Sequence, residues 1–406
     1  MARVLLIAPA ADGTDISEPR VGYSWARSLA ERHEVTVLTL RKTGHPHLQD
    51  QVPKAEVVSW DEPHLAQRAE RFNSLVMPWY PFFYRRCARW IEDAQRSGRV
   101  FDVAHQPTPV GMRYPSPLSR FDIPYVLGPV GGGLDSPPAF RGEDTAPWYV
   151  GLRRIDPVRL RYDPMMRRSY RRAAVVFGIA PYVDQALEGL GIRRLETMSE
   201  VGIDAVPGEV DRSGREGPVR LLFVGRVIRT KGVRDAVRAL AHLRDLQLVF
   251  DVVGEGFDLD ACREEARRLG VEDRVVFHGQ QPFERVTEFY RAADVFLFPS
   301  YREPGGSAPL EAMSFGLPMV VADRGGPAAA VGDCGFRIEP IEPQQYAAAL
   351  AHAVRRLVTD PALRAEMGRA ARARVVATGT WDARAAELSR LFEEIRLRRE
   401  SPAPRS

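Results

Sequence analysis

Short apolar runs alternate with helical segments along most of this chain, and this alternation is the feature that most restricts its fold. The run Val4–Ala8 is followed by a helical pattern near Gly22–Arg32 and then by a second strand pattern, Glu34–Leu40. Because a crossover helix between neighbouring strands makes those strands parallel, this order predicts a parallel sheet. The same alternation begins again at Val219 and continues to Val321.

A stretch without periodicity separates the two alternating halves. It covers Ala205–Pro218 and is rich in proline, glycine and charged residues, which is typical of a linker. A chain of 406 residues is also long for a single hydrophobic core. We therefore expect an α/β protein with two domains, an N-terminal domain over residues 1–205 and a C-terminal domain over residues 217–378. An amphipathic pattern over residues 380–398 predicts a final helix.

The composition is ordinary for a globular protein and excludes several function classes. Hydrophobic residues make up 45% of the chain, charged residues 27%, and the net charge is +4. No recognition-helix, zinc-finger or RNA-platform pattern accompanies this mild positive charge, so we expect no nucleic acid partner. Cys87, Cys262 and Cys334 have no metal-ligand spacing and predict reduced thiols in a cytoplasmic protein. No apolar stretch is long enough to span a membrane.

Two carboxylates eight residues apart flank a glycine-rich loop. Glu303 and Glu311 follow the strand pattern Val295–Pro299, and the second lies in the first turns of a short helix. The loop between them contains Gly305, Gly306 and Ser307. Glycines let backbone N–H groups approach an anion, and a helix N-terminus attracts negative charge. Since carboxylates accept hydrogen bonds from hydroxyls, the pattern predicts a site for a phosphate between two hydroxyl-rich groups, which describes a nucleotide sugar.

A second pattern, upstream of the first, supplies positive charge. The strand pattern Leu221–Val224 ends at Gly225 and is followed by Arg226 and Lys231 before a helix begins at Val233. Ligands bind at the carboxyl ends of strands in open α/β sheets, and two cations there suit a diphosphate. Lysine is rare in this arginine-rich chain, which favours a phosphate-binding role for Lys231. A surface lysine retained by chance is the alternative.

Together these patterns resemble the retaining glycosyltransferases of family four, which have the GT-B fold. The resemblance rests on Gly225-Arg226-x4-Lys231-Gly232, on Glu303-x7-Glu311-Ala312-Met313, and on Gly325-Gly326-Pro327. It is close over residues 217–378 and looser upstream. It implies two Rossmann-like domains whose parallel sheets face a central cleft. It also implies that the N-terminal domain binds the acceptor, that helix 380–398 packs back on it, and that the C-terminal domain binds the sugar donor.

The resemblance also implies a role for each matching residue. Arg226 and Lys231 would bind the diphosphate and stabilise the leaving group, Glu303 would hold hydroxyls of the donor sugar, and Glu311 would bind the ribose. His105 matches a family position whose histidine lies beside the donor sugar, although a structural histidine at a strand end is the alternative. The remaining expected donor contacts are Gly225, Gly279, Gly305, Gly306, Ser307 and Leu310, with the base near His278–Gln281.

The expected reaction uses no metal ion and no tightly bound cofactor. Asp258-Leu259-Asp260 opens a helix, so we expect these acids to complement the helix N-terminus and not to bind a metal. The resemblance implies transfer, with retention of configuration, from a UDP-, GDP- or ADP-sugar to a small-molecule or lipid-linked acceptor, in glycan or secondary-metabolite biosynthesis. A non-catalytic homologue that activates a partner enzyme, a nucleotide-sugar epimerase and a sugar phosphorylase stay open as alternatives.

Two further segments carry expectations. The first loop, residues 12–22, lacks the Gly-Gly pair that approaches the donor phosphate in many relatives, and Arg20 is a candidate substitute. The aromatic and basic segments Met77–Arg86 and Trp148–Arg161 suit either peripheral contact with the inner face of a membrane or a hydrophobic acceptor tunnel. An irregular core helix and a solvated basic face are the alternative for these segments.

Overall fold

The computed structural model describes residues 1–63, 77–143 and 156–400, and the chain forms two compact units. The first unit comprises Met1–Gly133, Pro147–Glu200 and Trp381–Ser406, and the second unit comprises Leu134–Ala146 and Val201–Thr380. Each unit contains one parallel sheet with helices, so the predicted α/β fold with two Rossmann-like sheets is confirmed.

The first unit is built on seven parallel strands in the order β3-β2-β1-β4-β5-β6-β7. The strands are β1 Arg3–Ala10, β2 Glu34–Arg41, β3 Glu56–Asp61, β4 Val103–Gln106, β5 Tyr125–Val130, β6 Val175–Gly178 and β7 Leu195–Thr197. The α-helices described in this unit up to residue 200 are α1 Glu18–Ala30, α2 Leu48–Gln51, α3 Tyr80–Arg96, α4 Asp156–Tyr162, α5 Pro164–Arg172 and α6 Tyr182–Leu187. The central strands are buried on both faces, which explains their continuous apolar sequences.

The second unit is built on six parallel strands in the order β10-β9-β8-β11-β12-β13. The strands are β8 Val219–Val224, β9 Leu248–Val253, β10 Val275–Gly279, β11 Val295–Phe298, β12 Met319–Ala322 and β13 Phe336–Ile338. The helices are α7 Val233–Leu240, α8 Leu259–Leu269, α9 Phe283–Ala292, α10 Ala308–Ser314, α11 Gly325–Val331, α12 Pro343–Thr359 and α13 Pro361–Arg374. In both sheets the first strand lies between the second and the fourth, so each sheet has a topological switch point beside its first strand.

The C-terminal helix α14, Trp381–Glu400, belongs to the first unit. The Trp381 ring packs edge-on against Trp25 of α1, with 5.5 Å between the ring centroids. His33 Nε2 lies 2.7 Å from the Ser389 hydroxyl, and its ring packs against Phe392. These contacts hold the end of the chain on the first sheet.

The segment Leu134–Glu143 packs within the second unit, whereas the sequence predicted it as part of the N-terminal domain over residues 1–205. Phe140 is fully buried, 4.5 Å from the Tyr301 ring. Arg302 Nε donates to the Leu134 carbonyl at 3.1 Å. This aromatic and polar anchoring joins positions more than 150 residues apart in the chain, so local periodicity does not reveal it.

A buried ion cluster stabilises the same region of the second unit. Arg229 is 1% exposed and donates to both carboxylate oxygens of the buried Asp235, at 2.6 and 3.0 Å. Its Nε donates to Glu143 at 2.7 Å, and its guanidinium lies over the rings of Phe140 and Tyr301. Bidentate geometry and additional partners are what offset the cost of removing such charges from water.

The predicted membrane segments are described only in part. Tyr80 and Phe83 of Met77–Arg86 are buried in α3, which favours the core-helix alternative there. Trp148–Arg154 lies outside the described residues, while Tyr162 and Met165 downstream are exposed. Among the helices that the structure describes, none has both the length and the apolar character needed to cross a bilayer. Peripheral membrane contact stays a prediction.

Replacing Asp235 with Asn is expected to lower the free energy of unfolding of the second unit by about 3–5 kcal/mol, because Arg229 would remain buried with only the partly exposed Glu143 as countercharge. Asp245→Asn is the matched control, since Asp245 forms an exposed ion pair with Arg355 and its loss is expected to have little effect. None of the six tryptophans lies in the second unit, so tryptophan emission follows the first unit while far-UV circular dichroism follows both. If Asp235→Asn unfolds at the same midpoint as the wild type when followed by far-UV circular dichroism, the expectation is contradicted.

Candidate functional site

Three of the predicted donor residues, Arg226, Lys231 and Glu303, come together at the switch point of the second unit. Strands β8 and β11 are parallel neighbours, with Leu221 paired to Val295. Gly225 and Arg226 follow β8, and the loop that carries Glu303 follows β11. Because the carboxyl ends of these strands lie at one edge of the sheet, residues about 75 positions apart come together there.

Lys231 and Glu303 form an ion pair at this edge. Lys231 Nζ contacts Glu303 Oε2, and the two side chains are only 13% and 12% exposed. Lys231 Nζ also lies 5.5 Å from the centre of the Phe298 ring. Burial and the nearby Arg226 guanidinium lower the pKa of Lys231 to about 7, while the Glu303 carboxylate favours the charged ammonium. The pair places one cation and one carboxylate, both largely withdrawn from water, at the switch point.

Three glycines shape the loops around this pair. Gly232 has φ +75°, and a Cβ there would lie 2.1 Å from the Pro299 carbonyl oxygen. Gly325 has φ +64°, and its Cβ would lie 2.1 Å from the Glu303 carbonyl oxygen. Gly326 N donates to that same oxygen at 3.0 Å. A side chain at either Gly232 or Gly325 would therefore separate loops that now touch, which explains the glycines of both motifs in steric terms.

The rest of the carboxylate loop leads into α10. Gly306 has φ +102° and packs on Glu303, Gly305 is buried, and Ser307 is exposed. Glu311, in the first turn of α10, accepts a hydrogen bond from the buried Tyr290 hydroxyl at 3.0 Å. Leu310 is buried in the core of the second unit, so a donor contact at this position would involve its backbone.

Backbone hydrogen bonds join the loops that follow β8, β9 and β10. Gly225 N donates to Val253 O at 3.0 Å, Val227 N to Glu255 O at 2.8 Å, and Gly254 N to Gly279 O at 2.8 Å. Gly279 has φ +67° and lies beside the Glu255 carboxylate.

The predicted base pocket begins at His278. Its Nε2 lies 2.7 Å from Asp251 Oδ1, and its ring lies 4.5 Å from that of Phe289. Asp251 and Phe289 thus hold the imidazole in one orientation.

His105 belongs to the first unit. It lies within β4 and is buried. Nε2 donates to the Gly128 carbonyl at 2.8 Å, and the ring packs against Trp25 and Phe392. Burial lowers the pKa of His105 to about 4, so the ring is neutral near pH 7. This environment favours the structural alternative; a donor contact by His105 stays a prediction.

The side chain of Arg20 is hydrogen-bonded to the backbone of the first loop. Arg20 Nη1 donates to the Gly13 carbonyl at 2.6 Å, and its guanidinium lies over the Tyr23 ring. A role for Arg20 in place of the missing Gly-Gly pair stays a prediction. The same loop presents Glu18 at the start of α1, a residue that sequence motifs did not single out.

The acids that open α8 have ordinary partners. Asp258 accepts from Arg234 Nε at 3.0 Å and makes no side-chain cap hydrogen bond to the backbone of α8, so an ion pair holds this carboxylate. Within the described part of the chain, no three histidine, cysteine or acidic side chains are grouped as metal ligands would be.

Two family models match the chain. The model described as "Glycosyl transferase 4-like domain" matches residues 19–198, and the model described as "Glycosyl transferases group 1" matches residues 210–374.

Curated relatives match part of the chain. Glycogen synthase from Mycobacterium tuberculosis is 33% identical over 224 residues, covering 54% of this chain and 53% of the relative. A D-inositol 3-phosphate glycosyltransferase from Corynebacterium jeikeium is 36% identical over 184 residues, covering 43% of each chain. The chain thus spans about half the length of the curated relatives it matches.

Solved structures match nearly the whole chain. Sucrose-phosphate synthase from Thermosynechococcus elongatus has a TM-score of 0.64 at 20% identity, covering 99% of this chain and 100% of the other. HepE from Anabaena, in complex with UDP and glucose, has a TM-score of 0.61 at 17% identity, covering 97% and 100%. At these identities the likeness establishes the fold. With both family models matched in succession on this fold, the chain belongs to the GT-B glycosyltransferases of the family-four type.

Proposed function

We propose that this protein transfers a sugar from a nucleoside diphosphate sugar to an acceptor hydroxyl, with retention of configuration and without a metal ion. The observation that carries the proposal is the ion pair of Lys231 and Glu303 at the switch point of the second unit, beside the exposed Arg226. The family and the names of the relatives support glycosyl transfer. Retention and metal independence rest on the family resemblance.

The two cations have a direct role in such a reaction. Negative charge develops on the leaving diphosphate as the bond to the sugar breaks, and positive groups placed beforehand stabilise it. Arg226 and Lys231 supply this charge, which a divalent cation supplies in other sites. In the free protein Lys231 is paired with Glu303. A bound diphosphate would replace Glu303 as the partner of the Lys231 ammonium, and Glu303 could then accept hydrogen bonds from sugar hydroxyls.

The remaining donor contacts follow from the loops. Gly305, Gly306 and Ser307 would present backbone N–H groups to phosphate, and Glu311 would bind the ribose. Gly225, Gly279 and the backbone of Leu310 would line the nucleotide. We assign no protein nucleophile, so Glu303 serves as a positioning group for the sugar.

The first donor base to be tested is uracil, in the form of a UDP-sugar. HepE, one of the structures with the same fold, was solved with UDP and glucose, and this makes UDP-glucose the first probe. GDP- and ADP-sugars follow in the same panel. The product anomer, read by proton NMR, tests retention directly.

A nucleoside diphosphate or its sugar is expected to raise the melting temperature of the wild type, and Lys231→Ala and Glu311→Ala are expected to remove this shift. A ligand at 100 times its dissociation constant adds about 2.7 kcal/mol of stability. Lys54→Ala is the matched control, because Lys54 is another of the few lysines and pairs with Glu31 on the surface of the first unit. If no nucleotide stabilises the wild type, the non-catalytic alternative is favoured instead.

Donor affinity is expected to fall as the pH rises from 6 to 8, by up to about tenfold. The pKa of Lys231 in the free protein is about 7, and a diphosphate binds the charged ammonium, so deprotonation competes with binding. The other charged groups facing this ammonium are Arg226 and Glu303. The probe is the nucleoside diphosphate sugar, since a terminal phosphate itself titrates near pH 6. Lys231→Arg should flatten the profile; an unchanged slope in this variant would assign the pH dependence to another group.

A further inference from the structure

The first unit contains a small cavity at its own switch point. Pro9 and Ala10, at the end of β1, line one side, and Thr108 and Pro109, just beyond β4, line another. Strands β1 and β4 are parallel neighbours, and the sheet order reverses between them. Open α/β sheets bind ligands at this position. The location therefore marks the cavity as a candidate site independently of the side chains that line it.

Two buried polar atoms on the cavity wall lack hydrogen-bond partners among the described residues. Thr108 is 2% exposed and its Oγ1 has no partner, and the same holds for Nε1 of the buried Trp79. An unsatisfied buried donor or acceptor costs about 1–3 kcal/mol. Native structures satisfy nearly all such groups, so two of them on residues that line one cavity point to a hydroxyl, of water or of a ligand, that supplies the missing partners.

The third polar group is the carboxylate of Glu18. Its Oε1 accepts from the Val110 backbone N–H at 2.7 Å, and this bond fixes a side chain that lines the cavity. Burial raises the pKa of Glu18, and Arg113 opposes this shift but is itself paired with Asp156 at 2.7 Å. The preceding Ser17 has φ 62°, a conformation that a non-glycine residue adopts at a cost of about 1–3 kcal/mol.

These groups define the chemistry of the ligand. A carboxylate accepts from a hydroxyl, an indole N–H donates to a hydroxyl oxygen, and a threonine hydroxyl does both. No basic side chain is among the described residues that line the cavity, and the nearby Arg113 is already paired with Asp156, so a phosphate would meet the Glu18 carboxylate with little compensating charge. The cavity is close in size to one water molecule, so it accommodates a single hydroxyl-bearing arm of a larger molecule.

We propose that this cavity is an acceptor subsite in which Glu18, Trp79 and Thr108 bind a hydroxyl or hydroxymethyl group of an unphosphorylated polyol. This inference rests on the proposed function for the identification of the polyol as acceptor. The binding itself rests on the first unit alone. The proposed preference for an unphosphorylated polyol distinguishes this chain from the Corynebacterium jeikeium relative, whose name contains a phosphorylated inositol.

The test uses two pairs of probes, myo-inositol with its 3-phosphate and glucose with its 6-phosphate. Binding to the full chain is measured without nucleotide by saturation-transfer NMR, and transfer is measured with whichever nucleotide sugar binds. The unphosphorylated member of a pair is expected to bind more tightly. Thr108→Val should weaken its binding about fivefold to tenfold, the equivalent of one hydrogen bond. Glu18→Gln should reduce the preference over the phosphorylated member about tenfold or more, since a charged partner is lost.

Stability separates this role from a structural one. Thr108→Val removes an unpartnered buried hydroxyl and is expected to unfold at the wild-type temperature or above. Thr39→Val is the matched control, a buried threonine of the same unit outside the cavity, and should leave polyol binding unchanged. The proposal is overturned if Thr108→Val loses stability without losing affinity, if a phosphorylated probe binds better, or if no probe binds. Nucleotide binding by the wild type and by Thr108→Val distinguishes the two proposals. If nucleotides bind both proteins, only the acceptor subsite is overturned; if nucleotides bind neither, the proposed function fails as well.

Discussion

Parallel strands buried on both faces constrain everything else in this protein. Their hydrogen-bonding groups are satisfied within the sheet and most of their buried side chains are apolar, so most of the polar chemistry lies in the loops at strand ends. In each unit the first strand lies between the second and the fourth, and the loops that follow the first and fourth strands diverge. Lys231 and Glu303 occupy this position in the second unit, and Glu18 and Thr108 occupy it in the first.

Two buried ion pairs of the second unit illustrate different uses of charge. Arg229 meets Asp235 through two hydrogen bonds, is nearly inaccessible, and has a further carboxylate partner, so no group is left to exchange. Lys231 is a point charge on a single carboxylate oxygen, flanked by glycine loops and by the exposed Arg226. Burial removes water from the charged groups of both pairs. Only in the second pair can a bound anion provide the cation with a new partner in place of that water. This difference in geometry is consistent with a structural role for the first pair and with the proposed donor-binding role for the second.

Glycine has a steric role at the proposed donor site as well as a conformational one. At Gly232 and Gly325 the carbonyl of a neighbouring loop occupies the space that a side chain would need. The loops after β8, β11 and β12 therefore approach within backbone contact, and Glu303 is placed by this packing. At the switch point of the first unit, by contrast, the polar groups belong to side chains. Among the described residues, the only backbone strain there is the positive φ of Ser17.

The α/β fold with two parallel sheets, and the positions of Arg226, Lys231 and Glu303 just beyond strands, could be predicted from the sequence, because periodicity and spacing along the chain report local structure directly. Three features depended on the tertiary structure. Leu134–Glu143 packs with the second unit, His105 is enclosed by Trp25 and Phe392, and Glu18 reaches Val110 across 92 positions to line a cavity with Thr108. Each results from contacts between segments distant in the chain. No local pattern encodes such contacts, since the same residue types at the same spacing suit a solvated loop equally well.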